Sequence, residues 1–172
     1  IWVCNTGANG SVTSYNPSGI PRFSPVSGLS SPLGINYDAT NNVIWVTENG
    51  ANRIKAIDPT NGTVLGTIGT GSDSPRNLDF YNGAIYLAMD QGIGRITGYS
   101  KTGAGSYSRV YNGLGGYNDV SVDSDGGVVV LAGSGRKVDP TDSYDVAWYS
   151  NYHGPNFMWK GGGTFWITDL SL

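Results

Sequence analysis

Charged residues are scarce in this chain, at 13% of its 172 residues, about half the usual share. The ten Lys and Arg residues are scattered, and the net charge is −3. Nucleic acid and anionic membranes both require clustered positive charge, so neither is predicted as a partner. No apolar run approaches the roughly 18 residues of a membrane-spanning helix, and the sequence therefore predicts no membrane span.

Cysteine and histidine are each represented by a single residue, Cys4 and His153. One cysteine excludes a disulfide bond within the chain. Cys4 lies in an apolar segment with no base nearby in the sequence, so we expect a small buried side chain and not a nucleophile. The sequence has no initiator Met, and we expect a processed product, a fragment or part of something longer.

Glycine and aromatic residues are abundant, with 27 glycines and 12% aromatics. A short apolar segment recurs along the chain, and its central residues are spaced at roughly 40 residues. A repeat of this length without any helical pattern indicates a stacked β architecture. The central residues of the five segments are Trp2, Trp45, Tyr86, Val129 and Trp166.

The second repeat shows the organisation most clearly. Strand-like segments at 31–38, 43–48, 53–58 and 63–68 alternate with turns rich in Pro, Asn and Gly, which is typical of an antiparallel meander. The second segment is apolar at consecutive positions, and such a strand is covered on both faces. Asn82-Gly83 in the third repeat is a strong hairpin signal, because both residues tolerate positive φ.

Four-stranded sheets that are buried on both faces and repeat along the chain predict an all-β fold, a β-propeller of four-stranded antiparallel blades. A sandwich or a solenoid is the structural alternative. Both chain ends supply a second strand, so they are assigned to different blades, and the ring is incomplete. An open arc would expose apolar faces, so we expect missing chain or another copy to close it. The predicted blades are 1–28 (partial), 31–70, 74–113, 117–151 and 155–172 (partial).

A family resemblance follows from the segment VIWVTENGANRIKAIDPTNGTVLGTI at 43–68. Its order of apolar strand, Asn/Gly-rich turn, Arg-Ile pair and Asp-Pro-x-x-Gly resembles the repeats of NHL, YVTN and streptogramin-lyase-like β-propellers. The resemblance covers nearly the whole chain and implies architecture more than activity, since these propellers include lyases, lactonases, scaffolds and surface proteins. YVTN-type propellers commonly lie in extracellular or surface-layer proteins.

Enzymatic members of these families have characteristic site residues. Their lyases use several histidines, whereas this chain has only His153. Gluconolactonase-like members hold a divalent cation through Glu, Asn and Asp, the oxygen ligands that hard cations prefer. The equivalent positions here are Gly34, Asn77, Asp119 and Phe157, with Asn118 and Asn156 adjacent. This mixed set is not a convincing cage, so no cofactor is predicted; calcium is the alternative, and its candidate ligands are Asn77, Asp119 and Asn156.

One face of a propeller collects the loops from second to third strands and from fourth strands to the next blade. Loops on a rigid scaffold often carry function, although ordinary turn residues are the plainer interpretation. Glu48 is the only glutamate of the chain, and we expect it to be an exposed carboxylate at a strand end. The binding-face candidates are Glu48, Arg76, Asp90, Arg95 and His153.

Two tripeptides match the N-glycosylation acceptor pattern, at Asn9-Gly10-Ser11 and Asn61-Gly62-Thr63. Both fall in predicted exposed turns. Such tripeptides also arise by chance in a chain rich in Asn and Gly. Asn9 and Asn61 are the glycosylation candidates.

The function predicted from the sequence is a non-catalytic scaffold, extracellular or on a surface. Such a propeller would bind protein partners or additional copies, and carry glycans. The alternative is a metal-dependent lactonase-type hydrolase or a lyase whose site is completed by missing blades. A module of a virion or phage appendage is a third interpretation.

Overall fold

The computed structural model of the chain describes residues 1–7, 9–111, 116–122, 128–131, 135–138, 145–149, 155–161 and 164–169. Beyond Val128 the description covers the backbone of the strands alone. The described residues form antiparallel β-strands in five sheets, numbered in chain order. They include one short 3₁₀ turn, Asn49–Ala51, and no helix that is long and apolar enough to cross a membrane.

Sequence order equals spatial order within every described sheet. The first sheet has three strands, β1 Trp2–Asn5, β2 Gly10–Ser14 and β3 Val26–Leu29. The second contains β4 Pro32–Asp38, β5 Val43–Glu48, β6 Arg53–Ile57 and β7 Val64–Gly69. The third contains β8 Pro75–Tyr81, β9 Ala84–Met89, β10 Gly92–Thr97 and β11 Ser106–Tyr111. The fourth contains β12 Asp119–Val122, β13 Val128–Leu131, β14 Gly135–Val138 and β15 Asp145–Tyr149, and the fifth contains β16 Pro155–Gly161 and β17 Thr164–Asp169.

Successive sheets stack through their first strands, which we call the inner strands: β4, β8, β12 and β16. Each second strand also contacts the inner strand of the following sheet, as β5 contacts β8. Strand β1 contacts β4 in the same way, so it occupies the place of a second strand. The prediction of an all-β propeller with three whole and two partial sheets is confirmed, and the described sheets do not close a ring.

The hydrophobic core lies between sheets, in the interfaces that we call seams. The first seam joins Val12 and Leu29 of the first sheet to side chains of β5 and β6. In the second seam, Val43 and Trp45 meet Leu87 and other residues of the third sheet. The third seam packs the opposite face of β9 against the fourth sheet; its members are Ala84, Tyr86, Ala88, Ile93, Tyr117, Val120, Val122 and Val128.

Strands β5 and β9 are buried at every position. Successive side chains of a strand point to opposite faces, so Trp45 enters the second seam while Ile44 and Val46 enter the first. The run of consecutive apolar residues is therefore explained by coverage on both sides. Trp45 also makes an edge contact with the ring of Tyr99, at a centroid distance of 5.8 Å.

Candidate functional site

The inner strands carry a repeated polar device. An inner strand is a sheet edge, and an edge leaves unpaired backbone groups. Here an Asn or Asp side chain accepts the N–H of the residue that follows it, at 2.8 to 2.9 Å. These four backbone donors are thereby satisfied within their own strands. The residues that do this are Asn36, Asn77, Asp79 and Asp119.

The same side chains also connect neighbouring sheets. In the second seam the Asn36 amide donates to the carbonyl oxygen of Leu78 at 3.3 Å. In the third seam Asp79 accepts hydrogen bonds from the Val122 N–H at 2.8 Å and the Ser121 hydroxyl at 3.2 Å. The inner strands are therefore held together by polar contacts in addition to the apolar clusters behind them.

Gly34 occupies the position of the second sheet that corresponds to a candidate metal ligand. A Cβ at this position would lie 2.6 Å from the Arg76 carbonyl oxygen and from the Asn77 Cα. Such a distance is too short for any side chain, so close approach of the two inner strands requires glycine here. The second sheet consequently has no side chain to offer at this level.

Asn77 and Asp119 are brought together, because the Asn77 amide donates a hydrogen bond to the Asp119 carboxylate. The Asn77 oxygen already accepts the Leu78 N–H, and Asp119 is 2% exposed. The structure describes only the backbone of Asn156. Among the described residues no three His, Cys, Asp or Glu side chains form a group that could hold a metal.

Glu48 is completely buried, with 0% exposure, and the expectation of an exposed carboxylate is wrong. Its carboxylate accepts hydrogen bonds from Arg53 Nε at 2.6 Å and from the N–H of Ser30, in the connection from β3 to β4, at 2.8 Å. Lys55 Nζ lies 3.2 Å away. Burial alone would raise the pKa of Glu48, but these hydrogen bonds and charges outweigh it and lower the pKa. Glu48 therefore ties the connection between the first two sheets to β6.

Arg76 and Asp90 form an ion pair in the third sheet, and both side chains are partly exposed. The Arg76 Nη1 also donates to Asn118 Oδ1, next to the fourth sheet, at 3.3 Å. The two residues thus lie together on the predicted loop face. Their charged groups are directed to each other and to the third seam.

Arg95 does not lie in that face, and its placement there is wrong. It sits within β10, opposite Tyr86 on one side and Ser108 on the other. The Nε atom is buried and makes no hydrogen bond to any residue that the structure describes. His153, the remaining binding-face candidate, falls outside the described residues.

Sequence reasoning missed a polar cluster around Asp38. The Asp38 carboxylate is buried and accepts hydrogen bonds from the Tyr99 hydroxyl at 3.0 Å and the Asn41 amide at 2.8 Å. Burial and the Asp38 charge raise the pKa of Tyr99 to about 12. The turn that holds Asn41 has a local signal, since Asp favours such turns. The partner Tyr99 belongs to the third sheet, and no local pattern points to it.

The glycosylation candidates differ in their surroundings. Asn9 and Asn61 are both exposed, but the glycine after Asn9 is buried in β2. The Asn61 side-chain oxygen accepts the Thr63 N–H at 2.8 Å within the turn from β6 to β7. Asn61 therefore lies in an ordered, accessible turn.

Cys4 is half-buried at the first seam, with its Sγ 4.0 Å from the Gly34 carbonyl oxygen. Burial raises the pKa of this thiol to about 11. Nucleophilic chemistry requires the thiolate, so Cys4 contributes packing and not a reactive group at neutral pH.

Comparison with known proteins finds no matching family and no matching curated sequence. Solved structures do match. A virginiamycin B lyase from Staphylococcus aureus has a TM-score of 0.73 at 20% identity, over 98% of this chain and 59% of its own. A 6-phosphogluconolactonase-like protein from Bacteroides uniformis has a TM-score of 0.69 at 16% identity, over 96% and 59%. The computationally designed Ika8 protein has a TM-score of 0.65 at 14% identity, over 98% and 55%.

These similarities establish a shared propeller-type fold. At such low sequence identity, structural similarity carries no information on activity. The chain spans about 59% of the length of the virginiamycin B lyase structure that it matches.

Proposed function

We propose that this protein is a non-catalytic β-propeller scaffold of the extracellular space or a cell surface. One observation carries the proposal: the carboxylates on the predicted loop face are engaged within and between sheets. Asp73 illustrates this, since it accepts hydrogen bonds from Tyr107 and Arg109 of the third sheet. Polar residues used in this way hold a scaffold together and are not free to act as an acid or a base.

A metal-dependent hydrolase or a lyase is the second candidate, favoured by the propeller enzymes among the structural matches. Calcium titration by calorimetry and a screen of lactones and esters distinguish the two. For a scaffold we expect neither calcium binding nor turnover above the blank. Calcium binding together with turnover that disappears in Asn77→Ala or Asp119→Ala would establish the enzyme instead.

Assembly through the first sheet is part of the proposal. Trp2 and Cys4 pack against the first seam, so the alternate residues Ile1 and Val3 face away from it, with 77% and 39% exposure. Apolar side chains in the position of a further seam support contact with additional blades or with another copy. Such a contact would bury them in the way that the first seam buries Ile44 and Val46.

Light scattering on the 172-residue chain tests this contact. We expect association that Val3→Lys abolishes without loss of the circular dichroism spectrum. Val64→Lys is the matched control, because Val64 has a similar exposure of 42% but lies on the outer strand β7. A monodisperse monomer of the unmodified chain contradicts assembly with a second copy, and leaves only further blades of a longer chain.

Glycans and surface location are tested together. Expression through a eukaryotic secretory pathway is expected to give a product whose mass falls on treatment with an N-glycosidase. Thr63→Ala removes the Asn61 acceptor pattern, while Ser11→Ala removes that of Asn9. An unchanged mass in the secreted wild-type chain would contradict glycan attachment.

A further inference from the structure

Asn-Gly pairs undergo a well-defined spontaneous reaction. The backbone nitrogen of the glycine attacks the side-chain Cγ of the asparagine, a five-membered succinimide forms and ammonia leaves. Water then opens the ring to aspartate or to isoaspartate. The reaction requires a free glycine nitrogen and a mobile asparagine side chain. The structure describes four such pairs, at Asn9-Gly10, Asn49-Gly50, Asn61-Gly62 and Asn82-Gly83.

Three of these pairs are held by hydrogen bonds of the glycine N–H. Gly10 donates to the Gly7 carbonyl oxygen at 3.1 Å, Gly50 to that of Ser30 at 3.2 Å, and Gly62 to that of Asp58 at 2.9 Å. Attack on the asparagine Cγ would break each of these hydrogen bonds.

In two of these three pairs, a hydrogen bond also restrains the asparagine side chain. The Asn49 amide donates to the Pro75 carbonyl oxygen at 3.3 Å, and the Asn61 oxygen accepts the Thr63 N–H. Rotation of these side chains toward the glycine nitrogen would break a second hydrogen bond.

Asn82-Gly83 differs from the other pairs. It forms the two-residue turn between β8 and β9, and both residues are exposed. Their φ angles of 45° and 72° place both in the left-handed region, as in the type I′ hairpin turn. Within the described part of the chain, neither the Asn82 side chain nor the Gly83 N–H makes a hydrogen bond.

Among the Asn-Gly pairs that the structure describes, we propose that Asn82 is the residue that deamidates spontaneously in the folded protein, with water as the second reactant. The product adds a negative charge at the tip of the β8–β9 hairpin. The isoaspartate form also routes the main chain through the side-chain methylene. A two-residue turn between the paired residues Tyr81 and Ala84 does not accommodate this extra carbon, so the modified hairpin is less stable.

The test is a time course on the intact folded protein at physiological temperature and mildly alkaline pH. Peptide mass mapping gives the deamidated fraction at each Asn-Gly pair, and an isoaspartate-specific methyltransferase detects isoaspartate. We expect the Asn82 peptide to react first. The other three described pairs should react roughly two- to tenfold more slowly, since each must first break a hydrogen bond.

A parallel time course in guanidinium chloride is the control, because the unfolded chain lacks these hydrogen bonds and the rates should converge. Asn82→Asp should remove the early signal and leave the slower ones unchanged. Equal rates at the four pairs in the folded protein, or the same ranking in guanidinium chloride, would overturn the proposal.

Discussion

Strands β5 and β1 hold the same place in their sheets and share the sequence Trp-Val, preceded by Ile in both repeats, yet their surroundings differ. Every residue of β5 is buried. In β1, half-buried residues alternate with exposed ones, so one face of the strand is covered and the other is not. The second sheet has a described neighbour on both sides and the first sheet has one. Burial of a second strand is thus a property of two seams and not of its own sheet.

The largest expected difference between the two strands concerns tryptophan. Trp45 is fully buried, so Trp45→Ala should lower the free energy of unfolding by about 3–5 kcal/mol. Trp2 is partly exposed and touches Phe23 at a centroid distance of 5.5 Å, and Trp2→Ala should lower it by about half as much. Guanidinium denaturation of both variants measures the difference. Equal losses would show that the neighbouring sheets do not set the burial energy.

Glu48 and Asn5 each lie three residues after that tryptophan and give the second comparison. Glu48→Ala leaves Lys55 and Arg53 without their partner, and we expect a loss of about 2–3 kcal/mol, since part of Arg53 is exposed to solvent. Asn5 is exposed, and its hydrogen bonds to described side chains go to Ser11 and Thr13 of its own sheet. Asn5→Ala should therefore change the free energy of unfolding by less than about 0.5 kcal/mol. A similar effect of both substitutions in denaturation experiments would refute the role assigned to Glu48.

Glycine substitutions sharpen the comparison at the second seam. Gly34→Ala places a methyl group against backbone atoms of Arg76 and Asn77, and should destabilise the protein by about 2 kcal/mol. A Cβ at Gly69 meets no atom within 4 Å, so Gly69→Ala is the matched control and should have little effect. If thermal unfolding shows no difference between them, the inner strands are less tightly apposed than described.

The smallest expected effect is a dependence on pH. The folded pKa of Glu48 lies below the value in the unfolded chain, so its contribution to stability is present above the unfolded pKa of about 4.3 and is lost as the pH falls through the folded pKa. Glu48→Gln should therefore weaken the acid-induced loss of stability. Some loss should remain, because the pKa of Asp38 is also lowered. Identical slopes of unfolding free energy against pH would contradict this assignment.

The sheets follow from the sequence because their signals are local. The repeat near 40 residues and the consecutive apolar residues Val43–Val46 predicted stacked sheets with a second strand covered twice, and the fold confirms this. Turn chemistry gave the hairpin at Asn82-Gly83. These features depend on residues that are adjacent in the chain.

The positions of the polar side chains could not be predicted from the sequence, because their partners lie outside their own sheet or in a shifted strand register. Glu48 is buried beside Ser30, which lies in the connection from the preceding sheet. The pair Arg95-Ile96 matches Arg53-Ile54 in sequence, but the connection from β9 to β10 is shorter than that from β5 to β6, so Gly92 takes the place of Arg53 in the ladder. The length of a loop can be read from the sequence. Its effect on strand register can be seen only when the strand pairing is known.

The location of the apolar clusters has a consequence for how such chains are built and divided. Each cluster draws about half of its side chains from one repeat and the rest from the next, and in such repeat architectures each repeat contacts its nearest neighbours. The cooperative unit is therefore displaced by half a period from the repeating segment of sequence. Duplication or recombination that preserves pairs of facing surfaces would retain stability, while a cut at a repeat boundary would divide a folding unit in two.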